Sequence, residues 1–250
     1  MKNNSSQKHA LVTGSSRGIG LEIAKKLLKE GFKVTGTAKK SEFPSELSSS
    51  EKFEGIHVDL GSEDQLKVYL KPILTDSNGV DVLINNAGIS VDAEFSETDD
   101  RWLEVWDRTL NVNLRSSALL SKWFINSHME DESKGVLINI ASRAAYRGDT
   151  QEFAAYAASK SGMVAFTKSI ARNFSNKGIS AYSIAPGFID TDMASEAKEI
   201  HGEEYLTQGS AFDEITSPAE VANLVAFLAK GDLPHMSGQT FHINAGSYMI

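Results

Sequence analysis

The chain is expected to fold as an α/β protein, with a parallel sheet covered by helices on both faces. Three observations predict this. Short apolar runs alternate with longer amphipathic stretches along the chain. Several of those runs end in turns of small residues: Thr13-Gly14-Ser15-Ser16-Arg17-Gly18-Ile19-Gly20, Asn85-Asn86-Ala87-Gly88 and Pro186-Gly187. Strands that alternate with helices return through helical crossovers, which makes them parallel and buries both faces of the sheet.

The elements follow in order. Residues 10–13 read as the first strand. Residues 19–30 read as an amphipathic helix, with Ile23, Leu27 and Leu28 inward and Gly31 as its stop. Residues 32–37 form the second strand, and the polar segment 39–52, with Pro44, reads as a loop. Residues 53–58 are the third strand. Ser62 caps a helix running to about residue 75, whose last turn Pro72 should fray or kink. Residues 80–84 are the fourth strand, and a long helical region spans 98–129 with a break expected early. Residues 135–141 are the fifth strand. The Ala-rich stretch 153–174, free of Pro, reads as a helix. Residues 179–185 are the sixth strand, Ser217-Pro218 opens a helix through 228, and 241–244 are the seventh strand. No repeat or linker appears, so residues 1–250 are expected to be one domain, with 1–8 disordered.

Composition excludes several functions. At 250 residues, 41% hydrophobic and 23% charged, the chain resembles an ordinary soluble globular protein. Its net charge of −8 argues against a broad nucleic-acid surface. Cys is absent, and the six His are scattered without metal-ligand spacing, so no metal is expected. The first eight residues lack the apolar stretch of a signal peptide, and no apolar run reaches membrane-span length. A cytoplasmic location is expected.

In a sheet of this kind, ligands sit beyond the carboxyl ends of the strands. Gly14, Gly18 and Gly20 let the backbone approach a pyrophosphate at a helix N-terminus. A glycine-rich turn alone is weak evidence, since many strand-to-helix turns need Gly. Ser142 follows the fifth strand, where a hydroxyl can hold a substrate oxygen. Tyr156 and Lys160 are four residues apart and share one helix face. A neighbouring ammonium is expected to lower the pKa of the phenol and make it an acid-base group near neutrality. Alone, that spacing also fits a chance surface pair. Special residues at four strand ends on one edge outweigh this bland alternative.

These motifs resemble the short-chain dehydrogenases/reductases, from about Ala10 to Met249. The residues that carry the resemblance are TGSSRGIG at 13–20, NNAG at 85–88, Asn113, Ser142 with YAASK at 156–160, and Pro186-Gly187 with Thr191. The resemblance implies a Rossmann-type doubly wound sheet of seven parallel strands. It also implies hydride transfer between NAD(P) and a carbonyl or alcohol. By the same likeness, Tyr156 is the general acid in reduction and Lys160 lowers its pKa and holds the nicotinamide ribose. Ser142 bonds the substrate carbonyl, and Asn113, rather than nearby Asn111, holds a water that relays protons. Gly14, Ser16, Gly18, Ile19 and Gly20 face the cofactor phosphates. Asp59 accepts from the adenine amino group beside Leu60, and Asn86, Ala87 and Gly88 pass the adenosine. Pro186, Gly187, Ile189 and Thr191 lie by the carboxamide. The bland alternative for Asp59 is a turn carboxylate, and for Thr191 a helix cap.

Within the family, TGSSRGIG, APGFIDTDM at 185–193 and HINAGSYMI at 242–250 are similar to the 3-oxoacyl-[acyl-carrier-protein] reductases. Ala245 departs from that group's usual Asn-Gly-Gly turn. The second strand ends Thr37-Ala38-Lys39-Lys40, with no carboxylate before Glu42, so Arg17 and Lys39 are expected to pair a 2′-phosphate and select NADP(H). The expected substrate is a 3-oxoacyl thioester, with acyl carrier protein as a candidate partner through Arg172. The acidic run Glu130-Asp131-Glu132 opposes such docking. Another small ketone, sugar or steroid is the alternative substrate. A non-catalytic NADP(H) sensor has no need of Tyr156, Lys160, Ser142 and Asn113 together. Residues 192–212, with Gly202 and Gly209, are expected to form a substrate lid. The likeness also implies a homotetramer, through the Tyr156 helix and the helix carrying Trp102, Trp106 and Trp123, although their small and aromatic residues fit burial within one subunit equally well.

Overall fold

The computed structural model describes residues 7–76, 79–191, 194, 202–207 and 209–249. Seven parallel strands form one sheet: β1 (His9–Val12), β2 (Lys33–Ala38), β3 (Phe53–His57), β4 (Val82–Asn85), β5 (Gly135–Ile140), β6 (Ile179–Pro186) and β7 (Thr240–Ile243). Their order is β3-β2-β1-β4-β5-β6-β7. The direction of travel reverses between β1 and β4, so a crevice opens there at the carboxyl edge.

Among the described residues there are five long helices, α1 (Gly18–Lys29), α2 (Asp99–Leu110), α3 (Ser116–Glu130), α4 (Ala154–Phe174) and α5 (Pro218–Ala229); α1, α3, α4 and α5 cover the sheet, and α2 packs against α4. On one face, Ile23 and Leu27 of α1 and Val221 and Val225 of α5 pack on Val12, Val34, Ile84, Ile138 and Ile184. On the other, Leu120 and Phe124 of α3 and Ile170 of α4 pack on Leu11, Leu83, Leu137 and Ala181. Full burial of each such side chain contributes about 1.5–3 kcal/mol. Ser217 and Glu220 close a capping box at the start of α5, as the Ser-Pro opening predicts.

Several expectations are corrected. Gln7 donates to the Gly31 carbonyl and Lys8 Nζ to the Lys230 carbonyl, both at 2.6 Å. Disorder expected over 1–8 therefore fails at these two, while 1–6 lie outside the described residues. Pro72 does not fray a helix end. It lies inside a continuous helical run, just after a π-helical turn, Leu66–Leu70, so the helix is distorted on the N-terminal side of the proline and not in its last turn. The long helical region is interrupted in its middle, at the π-helical turn Asn111–Arg115, rather than early. Much of the lid expected over 192–212 lies outside the described residues. Among the described residues, no helix is long and apolar enough to cross a membrane.

Candidate active site

The first wall of the crevice is the turn after β1. Gly14 and Gly18 have φ of +69° and +55°, which favours glycine at both. A Cβ on Gly20 would stand 2.5 Å from Asn86 Nδ2, so the β1 and β4 turns pack closer than any side chain permits. They are stitched together. Thr13 Oγ1 accepts from the backbone N–H groups of Asn86 and Ala87, each at 3.0 Å, and Asn86 Nδ2 donates to the Thr13 and Gly14 carbonyls. Thr37 is buried and braces this turn: its hydroxyl accepts from Gly14 N at 3.2 Å and its carbonyl from Ser15 N at 2.8 Å. Its side chain thus acts through the turn. The N–H groups of Gly18, Ile19 and Gly20 open α1, where a helix offers unpaired donors and a positive dipole end. Glycine cradle and donor set together fit a pyrophosphate.

The adenosine side lies past β2 and β3. Lys39 Nζ stands 2.6 Å from Asp59 Oδ2, and Asp59 Oδ1 accepts from Gly61 N at 2.9 Å. Burial alone would raise the Asp59 carboxyl. The Lys39 hydrogen bond, the Gly61 N–H and the charges of Lys39 and Arg108 outweigh it and hold the group below its ordinary value. Asp59 is thus also the turn carboxylate of the bland alternative. Lys39 and Asp59, expected to read different parts of a cofactor, are ion-paired with each other. Asn111 serves a different contact. Its Nδ2 donates to the Gly61 carbonyl at 2.8 Å, tying this turn to the π-helical turn that carries Asn113.

The residues expected to transfer protons meet at the ends of β4 and β5. Asn113, fully buried, accepts from Ile89 N at 2.8 Å and donates to the Ile89 carbonyl at 2.9 Å and to Ser159 Oγ at 3.0 Å. Lys160, on α4, is 3% exposed, and its Nζ donates to the Ile140 carbonyl at 2.8 Å. A Cβ on Gly88 would lie 3.2 Å from Lys160 Nζ and 3.3 Å from Asn113 Oδ1, so Gly88 is the gap through which the two approach. Burial pushes the Lys160 ammonium down to about 8.

The Tyr156 phenol differs from expectation. Burial pushes it above its ordinary value, and a hydrogen bond with Ser142 pulls the other way without reversing the shift. Lys160 does not lower it. The ammonium points at the Ile140 carbonyl and lies 5.7 Å from the Tyr156 ring centre. At neutral pH the phenol therefore carries its proton.

The far wall follows β6. A Cβ on Gly187 would meet Asn244 Cα at 2.9 Å, and the Pro186 carbonyl accepts from Arg143 N at 2.9 Å. Ile189 is buried in the core, so only its backbone is offered to the crevice. Thr191 Cγ2 faces Gly18, 3.2 Å from where a Cβ would stand. Sequence reasoning passed over Arg143. It is buried beside Ser142, with its guanidinium 4.4 Å over the Phe188 ring and Nη1 2.6 Å from Ser247 Oγ. It joins the ends of β5, β6 and β7. A charged residue directly after the strand-end serine was the available signal. Among the described residues no group of three His, Asp or Glu side chains can hold a metal ion.

Known proteins resemble this chain along nearly its whole length. The profile of the short chain dehydrogenases matches residues 8–201. The 3-oxoacyl-[acyl-carrier-protein] reductase of Vibrio cholerae is 37% identical over 97% of this chain and 98% of its own length. That of Escherichia coli K12 is 36% identical over 97% and 98%. Among solved structures, a protein of Beutenbergia cavernae assigned as an NAD(P)-dependent gluconate 5-dehydrogenase, with bound NADP, aligns with a TM-score of 0.86 at 25% identity over 97% of both chains. One of Agrobacterium tumefaciens assigned as a 2-deoxy-D-gluconate 3-dehydrogenase, also with bound NADP, aligns at 0.85 and 25% over the same shares.

Proposed function

Because the chain belongs to the short-chain dehydrogenase family, we propose that it is an NADP(H)-dependent reductase of 3-oxoacyl thioesters with Tyr156 as proton donor. The observation that carries this is the convergence of Ser142, Tyr156, Lys160 and Asn113 beside a glycine cradle suited to a dinucleotide. NADPH, when bound, supplies the hydride to the carbonyl carbon. Ser142 Oγ holds the carbonyl oxygen, and the Tyr156 hydroxyl moves its proton to that oxygen as negative charge develops there. A phenol pushed up by burial keeps that proton at neutral pH, which suits reduction. Lys160, fixed on the Ile140 carbonyl, holds the hydroxyls of the nicotinamide ribose. Arg17 and Lys39 take the 2′-phosphate, with Lys39 exchanging or sharing its Asp59 contact.

The sequence relatives favour an acyl thioester. The fold likeness to two sugar-acid dehydrogenases favours a polyhydroxy substrate and is the second reading. Docking of an acidic carrier protein is weak in this reading. Arg172 lies sixteen residues beyond Tyr156 on α4, about 24 Å away along the helix. The segment between α3 and β5 reaches the same end, since a Cβ on Gly178 would stand 3.3 Å from the Ser133 carbonyl. Exposed Glu130, Asp131 and Glu132 therefore share that end with Arg172. A second copy of the chain is the partner for the α2 surface, where Phe95 and Leu103 are exposed beside the Trp102–Trp106 ring pair. Gly162 is already filled within one subunit, since its Cβ would meet Leu114.

The test is loss of NADPH absorbance with 3-oxoacyl pantetheine, 3-oxoacyl carrier protein and keto-gluconates. Thioester turnover with NADPH preferred to NADH supports the reading. Turnover of keto-gluconates alone replaces it with the second. In Lys39→Ala the NADPH preference should fall by about tenfold, the size of one lost charge contact.

A further inference from the structure

One row of the sheet departs from the aliphatic pattern. On the α3 and α4 face, Leu83, Leu137 and Ala181 lie abreast in register. Two residues on, toward the catalytic edge, Asn85, Asn139 and Ser183 lie abreast. All three are 0% exposed.

A chain of hydrogen bonds runs through this row. Ser117 Oγ donates to the Asn113 carbonyl at 3.0 Å, and Ser121 Oγ to the Ser117 carbonyl at 2.7 Å. Asn85 Nδ2 donates to Ser121 Oγ at 3.1 Å and to Asn139 Oδ1 at 2.8 Å. Asn139 Nδ2 donates to Thr167 Oγ1 at 2.8 Å. Thr167 is the hub. Its hydroxyl lies 2.8 Å from the Met163 carbonyl and 2.8 Å from Ser183 Oγ. A carbonyl only accepts, so the Thr167 proton points at Met163 and Ser183 donates. One donor and two lone pairs are all that a hydroxyl has, and all are used.

A polar row costs stability that an aliphatic row would not. What it supplies is a fixed level joining α3, β4, β5, β6 and α4. The proton-transfer groups stand directly above that level. Ile140, next to Asn139, gives its carbonyl to Lys160, and Ser142 lies two residues further. Met163, whose carbonyl Thr167 holds, places Sδ 3.8 Å from Lys160 Nζ. At the far end the row reaches the backbone of Asn113.

We propose that Thr167 is a positioning residue: through this row it seats α4 on the end of β5 and so fixes Lys160 and Ser142 relative to Tyr156. The proposal rests on the reading that these groups carry proton transfer. The groups facing Lys160 are the Ile140 carbonyl from β5, Tyr156 and Met163 from its own helix, and Asn113 beside Gly88. The one titratable group among them is Tyr156.

The test compares Thr167→Val, which keeps the shape and removes the hydroxyl, with Thr167→Ser, which keeps it. Three quantities are read: kcat with the thioester, the Kd of NADPH by fluorescence, and the titration of Lys160 by carbon-labelled lysine NMR. In Thr167→Val, kcat should fall by about tenfold, as small displacements of reacting groups do, while the NADPH Kd stays within roughly twofold. The Lys160 midpoint should rise from about 8 toward the ordinary lysine range as the seam admits water. Thr167→Ser should restore both. A folded Thr167→Val with wild-type kcat and an unmoved Lys160 titration overturns the proposal. Should Thr167→Val fail to fold, Ser183→Ala removes one donor to the same hydroxyl and is read the same way. If the wild-type protein reduces no carbonyl offered, the functional reading falls, and the Lys160 titration still decides the positioning role.

Discussion

Under α1 and α5 the sheet presents Val12, Val34, Ile84, Ile138 and Ile184, aliphatic from one strand to the next. Under α3 and α4 the same strands present Leu83, Leu137 and Ala181, and then Asn85, Asn139 and Ser183. Both faces are close-packed; among its strand residues the first buries polar side-chain atoms only on β6, at Ser180 and at the Tyr182 hydroxyl, which donates to the Leu233 carbonyl, whereas the second is crossed by a polar row on three strands. The interruption falls next to the carboxyl edge of the sheet, on the face whose helix carries Tyr156 and Lys160. One face therefore holds the fold together, and the other gives up part of its apolar burial to aim a set of polar groups. Changes on the first should move stability and leave rate alone, and changes on the second should do more to rate.

The sharpest separation should come from Tyr156→Phe. The ring stays and the proton is lost, so kcat should drop by about a thousandfold, within the range for loss of a positioned acid. NADPH binding and thermal stability should change little. Near-wild-type turnover would remove Tyr156 from the mechanism. The opposite behaviour is expected of Leu27→Ala on α1, a fully buried position. Unfolding by urea should show a loss of about 4 kcal/mol, a transfer term plus a cavity term. The kcat of the protein that remains folded should stay within roughly twofold. A tenfold fall in that kcat would show that the two faces are not separable.

Much of this contrast was legible in the residues. The seven strands fall within about two residues of their expected limits because apolar runs and helical periods are local signals. The glycine turn, Gly88 and the Tyr156–Lys160 pair were legible because strand ends in a parallel sheet converge. The polar row was half visible: VLIN occurs at 82–85 and again at 136–139. That the two Asn lie abreast depends on strand register, which no single segment specifies. The π-helical turn at Asn111–Arg115 was missed because it depends on contacts from Ile89, Ser159 and Gly61, remote in sequence. The direction of the Tyr156 shift was misread for a related reason. Spacing puts Lys160 on the right face, and burial with the Ile140 carbonyl decides where its charge points.

The last expected effect is the smallest and concerns the same ammonium. Lys160 titrates near 8 in the folded protein, below the ordinary lysine value, because burial disfavours its charged form. Below pH 8 the group is protonated whether the chain is folded or not, and folding carries the full cost of burying the charge. Between pH 8 and the ordinary lysine pKa of about 10.4, the unfolded chain binds more protons than the folded one. Stability from this group therefore rises with pH across that window. The gain should be on the order of 2–3 kcal/mol, from a shift of roughly two pKa units. Lys160→Met removes the titration and should remove that rise, leaving only the slope shared by both proteins. Urea unfolding at pH 7.5, 9 and 10.5, with wild type and variant side by side, reads the difference directly. Parallel curves would mean that the ammonium is not desolvated as its place between Ile140 and Met163 implies. A wild-type curve that climbs toward the variant's would show that the face carrying Lys160 bears a cost in stability which the aliphatic face does not.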